Sequence, residues 1–153
     1  MPGQSVDPSE NVSRFLRRDD IRPSDNTVKY GAFCPSASNL KVSVFRIYDL
    51  SEAAIWAPAV EKVEPSRGQV IGRGELTVST IIEERLRVTP DRDPTSRHAD
   101  IVGWPEDRDL RATIAKVLAA KASPVKMRGL ATIRPLSESI AFTLQQLLAC
   151  HPT

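Results

Sequence analysis

The chain has 153 residues, of which 41% are hydrophobic and 26% are charged, a composition typical of one globular domain with its own core. The net charge is only +2 and acidic and basic residues are interleaved, so a nucleic-acid binder is not expected. No run approaches the roughly 20 apolar residues of a membrane span, so no membrane partner is expected.

The N-terminal stretch lacks the apolar segment of a secretion signal. Cys34 and Cys150 are therefore expected to be reduced thiols and the protein to be cytoplasmic. Residues 1 to 10 are polar and predict a disordered tail. Residues 11 to 122 predict a single α+β domain. Residues 123 to 153 predict a linker and a C-terminal amphipathic helix that docks on the domain.

The strongest strand pattern is LKVSVFRIYDL, residues 40 to 50. Apolar residues lie on both of its faces, which favours a central strand covered on both sides. A helix is predicted directly after it, with Asp49 or Ser51 as its N-cap and with Pro58 limiting or kinking it.

Further along the chain, strands and helices alternate. This order predicts an α+β fold with a small mixed sheet of three to five strands, three to four helices and a single core, with a small α/β arrangement as the alternative. The further elements are a strand over 69 to 78 with two glycines, a helix over 77 to 88, a strand over 97 to 104, a helix over 106 to 121 and a last helix over 137 to 150.

The stretch RHADIVGW, residues 97 to 104, holds one of the two histidines. In a strand, His98, Asp100 and Trp104 share one face and Arg97 lies on the other. A carboxylate beside an imidazole can orient the ring and raise its pKa, which prepares a general base. The alternative is a half-exposed strand end with a surface histidine and aspartate. The sequence ties no serine or cysteine nucleophile to this pair.

Arg46 lies on an otherwise apolar strand face. Its guanidinium must reach a carboxylate such as Asp100, reach an anionic ligand, or emerge at the end of the strand. Lys29 and the other residues around Cys34 do not establish the basic neighbour or helix N-terminus that a reactive thiol needs, which favours a structural thiol. A zinc site would need Cys34, His98 and the C-terminus to converge, so no metal is expected. Because no phosphate-binding glycine motif occurs either, no cofactor is expected.

Two segments of the chain together resemble a family of small bacterial proteins. The first contains KYGAFCP and LKVSVFRIYDL, and the second is SRHADIVGWPEDRD. In that family VKPAAF-P is followed by LSVFRI, a helix with IW, then RHA-I-GWP and an Ala-rich helix. Residues 12 to 122 match this order, although Lys29, Tyr30 and Gly31 stand where the family has Lys-Pro-Ala. The family carries no established activity, so the resemblance implies no catalytic residue.

A strand ending in FRI, two helices and a histidine-containing strand are also distantly similar to small ADP-ribosyltransferase-like domains. That resemblance implies that Arg46 and His98 hold the dinucleotide NAD. The glutamate motif of those domains is not identifiable here.

The leading hypothesis is a binding or interaction module rather than an enzyme. Its partner would be a protein or a small anionic ligand, because basic and aromatic side chains at strand ends suit both. The alternative is an NAD-dependent transferase of the ADP-ribosyltransferase-like type. Catalytic residues are not predicted, and the binding surface is expected to consist of Arg46, Arg97, His98, Asp100 and Trp104.

Overall fold

A computed structural model describes residues 5 to 92 and 95 to 129. The strands of these residues are β1 (Asn11–Leu16), β2 (Ile21–Arg22), β3 (Thr27–Val28), β4 (Val42–Arg46), β5 (Gly72–Thr77), β6 (Arg87–Pro90), β7 (His98–Val102) and β8 (Lys126–Met127). Six of them form one sheet in the spatial order β6-β7-β4-β1-β5-β8, and each neighbouring pair is antiparallel. The strands β2 and β3 form a separate short hairpin.

In the part of the chain that the structure describes, three segments that contain α-helix accompany the sheet, so the predicted α+β class is confirmed. The first is continuous from α1 (Glu52–Pro58) through a π-helical turn (Ala59–Val63) into α2 (Glu64–Arg67). The others are α3 (Val78–Glu83) and α4 (Arg108–Lys121). Within the described ranges, no helix combines the length and the apolar character that crossing a membrane requires.

The sheet is larger than the three to five strands expected. Its central strand β1 has no firm alternation because Ser13 and Arg14 interrupt the apolar residues. Strand β6 begins inside the stretch predicted as one helix over 77 to 88. Arg85 has a φ of 61°, a left-handed conformation that a continuing helix does not adopt. The helix therefore ends at Glu83, and the chain turns into a strand.

Apolar side chains cover both faces of the sheet. On one face Val12, Val44 and Ile101 belong to the same buried cluster as Leu118 of α4. On the other face a second cluster packs beneath the first helical segment, and it consists of Phe15, Phe45, Ile55, Trp56, Ala59 and Val70. Strand β4 lies between β7 and β1, which is the central position that its pattern favoured.

Both ends of the predicted domain extend further than expected. In the stretch predicted as a disordered tail, Val6 is only 2% exposed and its N–H donates to the Val88 carbonyl at 3.2 Å. In the stretch predicted as a linker, Val125 is buried and β8 pairs with β5. Apolar burial and ladder hydrogen bonds thus attach both stretches to the sheet. The last predicted helix lies outside the described residues.

A buried arginine joins the first helical segment to the sheet. Arg73 on β5 is 1% exposed, and its guanidinium lies 4.8 Å from the centre of the Trp56 ring. It donates to both carboxylate oxygens of Glu52, at 2.7 and 3.0 Å, and to Glu75 at 3.0 Å. Because a buried charge requires such partners, the Glu52 carboxylate holds α1 against the sheet, and Glu75 on β5 pairs the same guanidinium from within the strand.

We expect Glu75→Leu to lower the free energy of unfolding by roughly 1.5–3 kcal/mol, the range for losing a hydrogen bond to a charged group. Urea denaturation measures the change. Lys126→Gln is the matched control, because Lys126 contacts the same carboxylate at 3.1 Å from an exposed position and should cost less than about 1 kcal/mol. Equal effects of the two substitutions would contradict the role assigned to Arg73.

Candidate functional site

The sheet opens between its two central strands. Strand β1 pairs with β4 only at Val12 opposite Arg46 and Ser13 opposite Phe45. Beyond this point the side chain of Arg14 reaches between the strands. Its guanidinium donates to the carbonyls of Ser43 and Ala32, each at 2.9 Å. Arg14 thus satisfies a carbonyl on β4 where the ladder with β1 has stopped.

A pocket of about 180 Å³ lies at this opening. Phe15 and Phe45 line its apolar wall, and their ring centres are 4.9 Å apart. Arg14 lies at its half-buried base, and Lys62 and Arg67 of the first helical segment are exposed at its rim. The volume is below the ~300–1,000 Å³ of typical sites for drug-sized ligands, so the pocket suits a small ligand or one chemical group of a larger one.

The pocket carries a positive charge excess. Its lining includes four permanently cationic side chains, Arg14, Arg17, Lys62 and Arg67, and one carboxylate, Asp20. That carboxylate lies 3.7 Å from Arg17. Burial, and then the charge of Arg67, lower the pKa of Arg14 to about 10. The guanidinium remains charged at neutral pH, but its positive charge is electrostatically unfavourable here, and a bound anion would relieve that cost.

His98 forms part of the same lining. Its ring is 6% exposed and meets the Phe45 ring edge-on, with centres 5.4 Å apart. The register pairs His98 with Phe45, so both side chains project from the same face of the sheet. His98 Nε2 lies 3.7 Å from Asp100 Oδ1, which makes these two side chains neighbours on one strand face.

A third ionisable residue faces this histidine. Asp91 follows β6, and its N–H donates to the His98 carbonyl at 2.9 Å. Its carboxylate lies 3.7 Å from His98 Nδ1. Asp100 is 5% exposed, and burial, opposed by the charges of His98 and Lys41, raises the pKa of its carboxyl. The three side chains form a compact cluster beside the pocket.

Arg46 does not take part in this site. It projects from the face opposite Phe45 and His98, because neighbouring residues of a strand point to opposite faces. Its guanidinium donates to both carboxylate oxygens of Glu10, at 2.6 and 2.9 Å. The transferase alternative requires Arg46 and His98 in one pocket, and the geometry does not bring these two side chains together.

The remaining predicted site residues have structural contacts. Arg97 donates to the Tyr48 carbonyl at 2.7 Å. Trp104 is 6% exposed, belongs to the first buried cluster and donates to the Ile101 carbonyl at 3.0 Å. Trp104 therefore lies in the core and offers no exposed ring to a partner.

Sequence reasoning did not select Arg14, Lys62, Arg67 or Asp91. The rim cations come from a helix whose face cannot be assigned without knowing the π-helical turn. The available signal for Arg14 was a charged residue in RFLRR, directly before the two apolar positions Phe15 and Leu16. Cys34, predicted as a structural thiol, is half-buried against the first cluster, and burial raises its pKa, which favours the protonated thiol.

Comparison with protein-family models, with curated proteins and with solved structures finds no match to this chain. The resemblances drawn from the sequence therefore stay predictions.

We expect Arg46→Met to destabilise the fold by about 3 kcal/mol, because it leaves the buried Glu10 carboxylate unpaired. The double variant Arg46→Met, Glu10→Met should recover most of that loss. Chemical denaturation of the two variants and the wild type measures this. A double variant as unstable as Arg46→Met alone would show that the pair is not what stabilises this corner.

Proposed function

We propose that this protein binds a small anionic ligand carrying a phosphoryl group in the pocket between β1, β4 and the first helical segment. The position and the contacts of Arg14 support this proposal most directly. Its guanidinium lies at the base of the pocket, donates only to carbonyl oxygens among the hydrogen bonds of the described residues, and is surrounded by further cations.

Charge and shape favour a phosphoryl group over a neutral ligand. Guanidinium groups bind phosphate through two parallel N–H donors, and such charge-assisted bonds are about twice as strong as neutral ones. Arg14 and Arg67 supply guanidinium groups, and Lys62 supplies a point charge at the rim. The Phe15 and Phe45 wall offers an apolar surface to whatever carries the phosphate. This arrangement supports a small anionic ligand, which is one of the two kinds of partner considered from the sequence, the other being a protein.

An extended nucleic-acid surface is less well supported. Nucleic-acid binding requires a row of cations that follows the phosphates. The Asp20 carboxylate lies 3.7 Å from Arg17 at this pocket, and a second acidic residue, Asp19, precedes Asp20 in the chain. The positive charge is concentrated in a pocket of about 180 Å³ rather than spread along a face.

Isothermal titration calorimetry with inorganic phosphate, glycerol 3-phosphate and a short single-stranded oligonucleotide tests the proposal. We expect saturable binding of a phosphate compound and weaker binding at high salt, because the rim charges are screened. Binding of the oligonucleotide alone would refute a small-ligand pocket, and binding of none of the three would refute the anion site.

Substitutions at the pocket identify the residues that bind. We expect Arg14→Met to weaken phosphate binding by about tenfold or more, since a hydrogen bond to a charged group contributes at least ~1.5 kcal/mol. The rim variants Lys62→Gln and Arg67→Gln should each weaken it less and keep the fold intact, because both side chains are exposed.

Arg108→Gln is the matched control, since Arg108 is an exposed cation on α4 outside the pocket lining. Equal losses of affinity in Arg108→Gln and Arg67→Gln would show that the anion responds to net charge and not to this pocket.

A further inference from the structure

The hairpin of β6 and β7 brings two carboxylates and an imidazole together. Asp91 follows β6, and His98 and Asp100 lie two residues apart on β7. One ligand atom from each of the three residues lies within 4.8 Å of the others. No metal was expected from the sequence, where the one set considered needed Cys34, His98 and the C-terminus to converge.

The spacing of the ligand atoms is close to that of a metal site. His98 Nε2 lies 3.7 Å from Asp100 Oδ1, and the ligand atom of Asp91 lies within 4.8 Å of those of the other two residues. Donation from His98 Nδ1 to the Asp91 carbonyl, 3.2 Å away, would leave Nε2 as the metal ligand. Two ligand atoms that each lie about 2.1 Å from a shared cation, near the tetrahedral or octahedral angle, are ~3.0–3.4 Å apart. Rotations of the Asp91 and Asp100 side chains would bring the set to that spacing.

Asp100 gives a second and independent indication. Its side chain is 7% exposed and points into the cluster, where it meets His98. Its neighbours among the described residues are the Asp91 side chain, with which it shares a hydrogen bond, His98 Nε2 at 3.7 Å and Lys41 Nζ at 3.9 Å. Two carboxyl groups this close repel each other when both are ionised, unless a cation lies between them.

We propose that Asp91, His98 and Asp100 bind a divalent first-row transition-metal cation, with water in its remaining coordination positions. The Asp91 side chain is 45% exposed, which gives water and the ion a path to the cluster. Two carboxylates also neutralise the charge of a divalent cation.

The donor set distinguishes between classes of cation. Calcium and magnesium prefer oxygen ligands only, whereas imidazole suits the first-row transition metals. The proposed site is independent of phosphate binding, although His98 also lines the pocket. The test therefore uses the metal alone, without phosphate.

Manganese is a suitable probe because its ions favour carboxylates over thiolates, so the two cysteines do not compete. The loss of the free Mn²⁺ signal in electron paramagnetic resonance measures binding to the full chain. We expect one saturable site in the wild type and a loss of affinity of about tenfold or more in Asp100→Asn and Asp91→Asn.

Two exposed positions supply controls. Glu83→Gln removes a carboxylate that is 66% exposed and lies outside the cluster, and it should leave Mn²⁺ affinity unchanged. Lys41→Gln removes the cation beside Asp100 and should bind Mn²⁺ at least as tightly as the wild type, because a competing positive charge is gone. Thermal unfolding without metal checks that each variant folds.

The proposal is overturned if the wild type shows no saturable binding at millimolar Mn²⁺. It is also overturned if a folded Asp100→Asn variant binds as tightly as the wild type. Because phosphate is absent throughout, failure here leaves the anion pocket to its own test, and failure of the anion pocket leaves this one intact.

Discussion

The separation of β1 from β4 is the constraint on which the candidate site depends. Two central strands that stop pairing after two residue pairs leave backbone carbonyls without ladder partners. Arg14 meets this need at Ser43 and at the same time brings a positive charge into the interior. The opening of the pocket and the cation at its base both depend on this one arginine between two strands.

Much of the fold could be predicted from the sequence, because strand and helix periodicity is a local property. The apolar pattern of VSVFR predicted strand β4, and the acidic start and basic end of residues 106 to 121 predicted helix α4. The central strand β1 could not be predicted, since its polar residues have partners that lie far along the chain. Ser13 and Arg14 interrupt the pattern where the sheet opens, so the functional feature itself obscured the strand.

The candidate site was predicted only in part for the same reason. The neighbourhood of His98 and Asp100 follows from the two-residue period of a strand and agrees with their 3.7 Å separation. The hydrogen-bond partners of Arg46 and Arg97 cannot be predicted from the periodicity of a strand or a helix. The fold brings Glu10 to Arg46 and the Tyr48 carbonyl to Arg97, and these contacts give the two candidate binding residues a structural role.

The π-helical turn after Pro58 sets the direction in which the later side chains of the first helical segment point. Such a turn holds an extra residue, which rotates everything that follows by about 100° relative to a continuous α-helix. Lys62 lies within this turn and Arg67 after it, so both cations owe their place at the pocket to the extra residue. In related chains, deletion of one residue between 59 and 63 would turn Arg67 away from Arg14. A related chain that keeps the pocket would therefore be recognised by the unchanged length of this helix, more than by the identity of any one side chain.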